Sequence, residues 1–128
     1  MPAIVVTIVR VLLGLIFFVF GLNGFLNFIE VPPMPENIQA FMNGVMVAPY
    51  FMPLVKGTEV VCGFLFLINK KVALALVVIA PVCIQIFLFH AFLTPGIGNL
   101  IMPILILTLG TLLAWDRRAQ FEPILFGR

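Results

Sequence analysis

Three ionisable side chains, Arg10, Lys56 and Glu59, stand inside stretches that are otherwise apolar. A charge in the oily middle of a bilayer costs at least about 2.5 kcal/mol on insertion scales, so such groups persist where they pair or where water or a ligand reaches them. Lys56 and Glu59 are three residues apart, which puts them on one face of a helix. At a rise of about 1.5 Å per residue, Arg10 stands about 10 Å from the nearer membrane boundary, Glu59 about 14 Å and Lys56 about 18 Å. The spacing predicts Glu59 held between two cations, Arg10 across from it and Lys56 beside it. Two readings are open. Either the ion network only clips two helices together, with a net energy near zero, or its excess positive charge near the midplane serves a ligand. That ligand would be a small anion, or a carbonyl compound such as a quinone. Gln85, level with Lys56 at about 20 Å, completes a candidate ligand-binding set of Arg10, Lys56, Glu59 and Gln85.

A second polar group falls near the other boundary. His90 is the one histidine of the chain and lies about 27 Å from the same reference plane, with Asn23 and Asn99 at similar heights. These three form a candidate outer polar cluster, read either as a hydrogen-bonded structural knot or as a proton relay or ligand site. A lone histidine without a second strong ligand at fixed spacing argues against a metal site. Cys62 and Cys83 differ by about 8 Å in estimated height, too much for an unstrained disulfide. With no CxxC present, thiol exchange and zinc knuckles have no support.

The elements that must position these residues are membrane spans. The chain has 128 residues, 63% hydrophobic and 9% charged, with a mean hydropathy of +1.27, where a soluble domain is nearer half apolar and a quarter charged. From Val72 to Trp115 run 44 residues without Asp, Glu, Lys or Arg, two crossings and a turn when one crossing takes about 20 residues. Four spans are predicted: Ala3 to Leu26, Val47 to Ile68, Val72 to Leu93 and Asn99 to Trp115. Nothing in the first resembles a signal peptide's charged head and cleavage site, so it is expected to remain as a span. Asn69-Lys70-Lys71 and Thr94-Pro95-Gly96-Ile97-Gly98 are short links, so neighbouring helices run antiparallel in an all-α up-down bundle of one domain. Gly14, Gly21 and Gly63 suit close backbone approach, and Pro81 and Pro103 fall inside spans three and four, where they can kink them.

Between spans one and two, Pro32, Pro33 and Pro35 forbid a continuous helix. Beyond them Ile38, Phe41, Met42, Val45 and Met46 recur at helical spacing, which predicts a short helix lying in the membrane interface, as a cap over the bundle mouth or as a gate. Lys70, Lys71, Arg117, Arg118 and Arg128 fall on one side and Glu30 and Glu36 on the other, so both termini are expected in the cytoplasm. A net charge of +2 without a basic stripe gives no support to nucleic-acid binding.

Arg10-Val-Leu-Leu-Gly14-Leu, then Gly21-Leu-Asn-Gly24-Phe, resembles the opening of DoxX-like membrane proteins. Leu54-Val-Lys56-Gly57-Thr-Glu59-Val-Val-Cys-Gly63 is similar to their second-helix signature, and Ala80-Pro81 through Phe89-His90 to their third helix. Pro32-Pro33-Met34-Pro35 suits the loop of the short bacterial members. The sequence departs from the pattern at Gly24, where many relatives carry a lysine. The resemblance implies a four-helix protein of the bacterial inner membrane and marks Arg10, Lys56, Glu59 and His90. Because the family includes a subunit of thiosulfate:quinone oxidoreductase, it also implies a small membrane subunit of a redox assembly. The partners expected are membrane lipid and other membrane subunits or further copies of this chain. No intrinsic cofactor is expected beyond a quinone. The alternative is a structural accessory subunit with no ligand or catalytic role.

Overall fold

A backbone immersed in hydrocarbon must satisfy its own N–H and C=O groups, and a single segment does so as a helix. The computed structural model of the chain describes residues 2–26, 36–93 and 97–127, and the elements there are helical. They are α1 (Ala3–Leu26), α2 (Glu36–Met46), α3 (Phe51–Ile68), α4 (Val72–Phe92), α5 (Ile97–Asp116) and α6 (Arg118–Phe126). Four of them, α1, α3, α4 and Gly98–Asp116 of α5, are long and apolar enough to cross a membrane. The protein is therefore an all-α, multi-pass membrane bundle. The proline loop before α2 and the Thr94-Pro95-Gly96 link lie outside the described residues.

Packing closes the spans into a ring, α1 against α3, α3 against α4, α4 against α5 and α5 against α1. Inward positions follow helical spacing: Val9, Leu13 and Phe17 on α1, Cys62 and Phe66 on α3, Ala75, Leu76, Ile79 and Cys83 on α4, Ile106, Leu109 and Leu113 on α5. Both cysteines are free thiols in this core. The opposite faces expose large apolar side chains such as Leu12, Val61, Leu74 and Ile101, the surface lipid requires. Within the four spans Glu59 is the one charged residue that is buried.

The most extensive contact is α1 on α3, and three glycines set its closeness. A Cβ built on Gly14 would stand 3.0 Å from Gly63 O, and one on Gly21 would stand 2.9 Å from Val60 N. A Cβ on Gly63 would stand 2.8 Å from Gly14 O and press on the backbone of Phe18. The pairs run in opposite directions along the two chains, so α1 and α3 are antiparallel. Their register sets Gly14 beside Gly63, and hence Arg10 beside Leu67.

The α3–α4 link turns on Asn69, at φ 56°, a left-handed conformation Asn tolerates well. Its N–H donates to Phe66 O and that of Lys70 donates to Leu65 O, at 3.3 and 3.1 Å, the pair of bonds of a Schellman cap. Arg117, just past α5, donates from Nη2 to Asn69 Oδ1 at 2.6 Å, which ties the α5 end to this turn.

Some expected boundaries move. The second span begins at Phe51, not Val47, because Val47 and Ala48 donate back to Gly44 O and Val45 O and form a turn closing α2. The fourth begins at Ile97 and ends at Asp116. On α2, Ile38 is buried but Met46 is 61% exposed, so the apolar stripe stops at Val45. Asn37 Nδ2 donates to Leu93 O at 2.8 Å and caps the end of α4, while the rings of Phe41 and Phe89 lie 5.2 Å apart. Helix α2 is thus strapped across α3 and α4. Helix α6 was not expected from the sequence.

Candidate functional site

Lys56 and Glu59 lie one turn apart on α3, with Lys56 Nζ 3.2 Å from Glu59 Oε2. Glu59 is 4% exposed, and among the described residues its Oε2 receives no well-directed hydrogen bond. The ammonium is near in charge but not aligned as a donor. Gly24 explains the path of the lysine: a Cβ there would overlap Lys56 Cγ and stand 2.7 Å from Cδ. The missing side chain lets the stem of Lys56 lie across α1.

This pair opens onto a cavity of about 450 Å³ between α2, α3 and α4. Phe41, Met42 and Val45 roof it, Phe51, Met52 and Val55 line it from α3, and Pro81, Val82, Ile86 and Phe89 from α4. Its polar side chains are Lys56, Glu59 and Gln85. Three of the four residues expected to share a pocket are therefore brought together. Gln85 and Pro81 are also exposed on the outer face of α4, so the cavity reaches the lipid-facing side. A second cavity, about 290 Å³ and walled by α4, α5, Leu13 and Phe121, has no charged side chain on its lining.

Arg10 is elsewhere. Its Nη1 donates to Phe66 O at 2.6 Å and Leu67 O at 3.1 Å, the last carbonyls of α3. Leu67 O has no partner within its own helix and Phe66 O has only the bond from the Asn69 cap, as at any helix C-terminus, and the negative end of the helix dipole draws a cation there. The expected Arg10–Glu59 pair is thus corrected, and with it the salt-linked triad. The height estimate took both spans to start at one boundary, whereas α1 overshoots the end of α3 by about six residues, or about 9 Å. Glu59 consequently stands level with Phe18. The site also loses its excess positive charge, since one cation faces one carboxylate.

The residues of the expected outer cluster occupy one end of the bundle, Asn23 near the end of α1, His90 near the end of α4 and Asn99 near the start of α5. His90 Nδ1 lies 2.8 Å from Ile86 O. A carbonyl only accepts, so this contact assigns the proton to Nδ1. None of the three is without a partner. No group of three or more His, Cys, Asp or Glu side chains gathers among the described residues.

A family model described as DoxX matches residues 5–91. The chain belongs to the DoxX family. The match takes in α1 to α4 up to Ala91, and so every side chain of the Lys56 cavity, while α5 and α6 of this DoxX protein lie beyond it. No curated protein and no solved structure matches the chain significantly.

Proposed function

We propose that this DoxX protein is a small membrane subunit of a redox assembly that binds a quinone-like head group in the cavity beneath α2. The observation that carries this reading is the Lys56–Glu59 pair on the lining of an apolar-walled cavity, with a buried Glu59 oxygen that no directed donor serves. An acceptor and a donor side by side suit a group that alternates between the two roles. A quinone carbonyl accepts from Lys56 Nζ, and a quinol hydroxyl donates to Glu59. The local charges balance, which disfavours a small anion as the ligand. The rings of Phe41, Phe51 and Phe89 suit a flat apolar body, and the opening beside Gln85 suits arrival from the bilayer. Electrons would come from the partner subunits.

A photoreactive quinol, kept reduced and added to the purified protein, tests this. Label is expected on residues 36–93, displaced by unmodified quinol, and weakened about tenfold by Glu59→Gln, which removes a charged acceptor worth ~1.5 kcal/mol. Label spread over lipid-facing side chains, or unchanged in that variant, would favour the architectural reading. Arg10 and the glycine contacts already serve architecture.

For orientation, Lys70, Lys71, Arg117 and Arg118 stand at one end of the bundle, tied by the Arg117–Asn69 bond. We place that end in the bacterial cytoplasm. A cysteine replacing Glu36 should then react with an impermeant maleimide added to intact cells; reaction only after the membrane is opened would invert the topology.

A further inference from the structure

Between Asp116 and Arg118 a single residue, Arg117, turns the chain from α5 into α6. Helix α6 has 9 residues, far short of a crossing, and its Phe121 packs against the core. An open groove of about 610 Å³ lies between α5 and α6. Ala114, Trp115, Phe121 and Phe126 form its apolar walls, and Arg118 and Glu122 its polar rim. Arg118 lies over the Trp115 ring at 4.7 Å and donates from Nη1 to Trp115 O at 2.9 Å. Trp115 itself is 63% exposed. An exposed tryptophan beside an arginine, where a span ends, is the signature of the membrane–water boundary.

We propose that this groove holds an anionic phospholipid, with one acyl chain between Trp115 and Phe126 and the phosphate on Arg118. Lys70 and Lys71 of the adjoining turn, with Arg117 and Arg118, outweigh Asp116 and Glu122 at this end. Asp116 Oδ2 is held 3.6 Å from Arg117 Nε. A planar guanidinium fixed by stacking presents its remaining N–H groups as a fork that matches phosphate oxygens. Lipid tails gain little by leaving oil for an apolar groove, so the tail sets the position and the head group sets the choice. A zwitterionic head brings its own cation against the basic rim, and an anionic one does not.

The test uses the purified full chain with phosphatidylglycerol and phosphatidylcholine of identical acyl chains, followed by native mass spectrometry. The wild type should retain phosphatidylglycerol over phosphatidylcholine by on the order of tenfold. Arg118→Gln should bring that ratio close to one while leaving helicity unchanged, and Arg118→Lys, which keeps the charge but loses the fork and the stacking, should keep only part of it. Millimolar inorganic phosphate should leave the lipid adduct in place. Equal retention of the two lipids by the wild type, an unaltered ratio in Arg118→Gln, or displacement by inorganic phosphate would each overturn the proposal, the last by assigning the rim to a free anion.

Discussion

Gly63→Ala should lower the unfolding midpoint of the detergent-solubilised protein, at a cost of about 1–3 kcal/mol, although it adds one methyl group to a helix interior. The added carbon would stand 2.8 Å from Gly14 O and 3.0 Å from Phe18 Cα. Both neighbours are backbone, so no side-chain rotation relieves the clash and α1 must move away from α3. That movement would also lengthen the Arg10 contacts with Phe66 O and Leu67 O. The same chemical change at Gly57 or Gly110, where a Cβ meets nothing within 4 Å, should be neutral or stabilising by about 0.5–1 kcal/mol, the ordinary gain of alanine over glycine in a helix. Thermal scans of the three variants in one detergent provide the check. A Gly63→Ala midpoint equal to that of Gly57→Ala would mean that the two helices do not touch this closely.

Gly14 and Gly21 are legible in the sequence because that signal is local: a seven-residue spacing puts both on one helix face whatever the partner is, whereas Gly57 and Gly110, which meet nothing within 4 Å, show that a glycine alone does not mark a close approach. The spans were legible for the same reason, since length and hydropathy act along one segment. What the sequence did not carry is the relative height of two helices. A shared starting plane would pair Arg10 with Glu59, whereas register is fixed by which glycine meets which, and Gly14 meets Gly63. Lys56 and Glu59 are legible as neighbours because a three-residue spacing on one helix does not depend on register. Gln85 reaches their cavity from another helix, at a height that the short α3–α4 link constrains well. Helix α6 is not legible in the sequence for a different reason. Its Arg118, Gln120, Glu122 and Pro123 interrupt the apolar pattern, and the spacing of Phe121 and Ile124 is too brief to reveal a periodicity.

The other large effect concerns Lys56 and Glu59, and it is asymmetric. Lys56→Met should destabilise the protein by about 3–5 kcal/mol, the usual result of leaving one member of a buried ion pair without its partner. Glu59 is 5% exposed at its side chain and cannot move to water. Glu59→Gln should cost about 1 kcal/mol, because the Lys56 side chain is 25% exposed and its long stem can carry the ammonium toward a polar boundary. The double variant Lys56→Met with Glu59→Gln should regain most of the loss, since a buried pair exchanged for neutral groups is close to energetically neutral. With about 1 kcal/mol of loss left in the double variant, a double-mutant cycle read from unfolding in detergent should therefore show a coupling of about 3–5 kcal/mol. Two small, additive losses would show instead that water already screens the pair and that Glu59 is not a sequestered acceptor. The asymmetry also decides which variant can report on ligand. Lys56→Met confounds binding with folding, whereas Glu59→Gln keeps the bundle and removes only the charge of the acceptor, so a fall in quinol labelling in that variant measures the cavity and not the assembly of the helices around it.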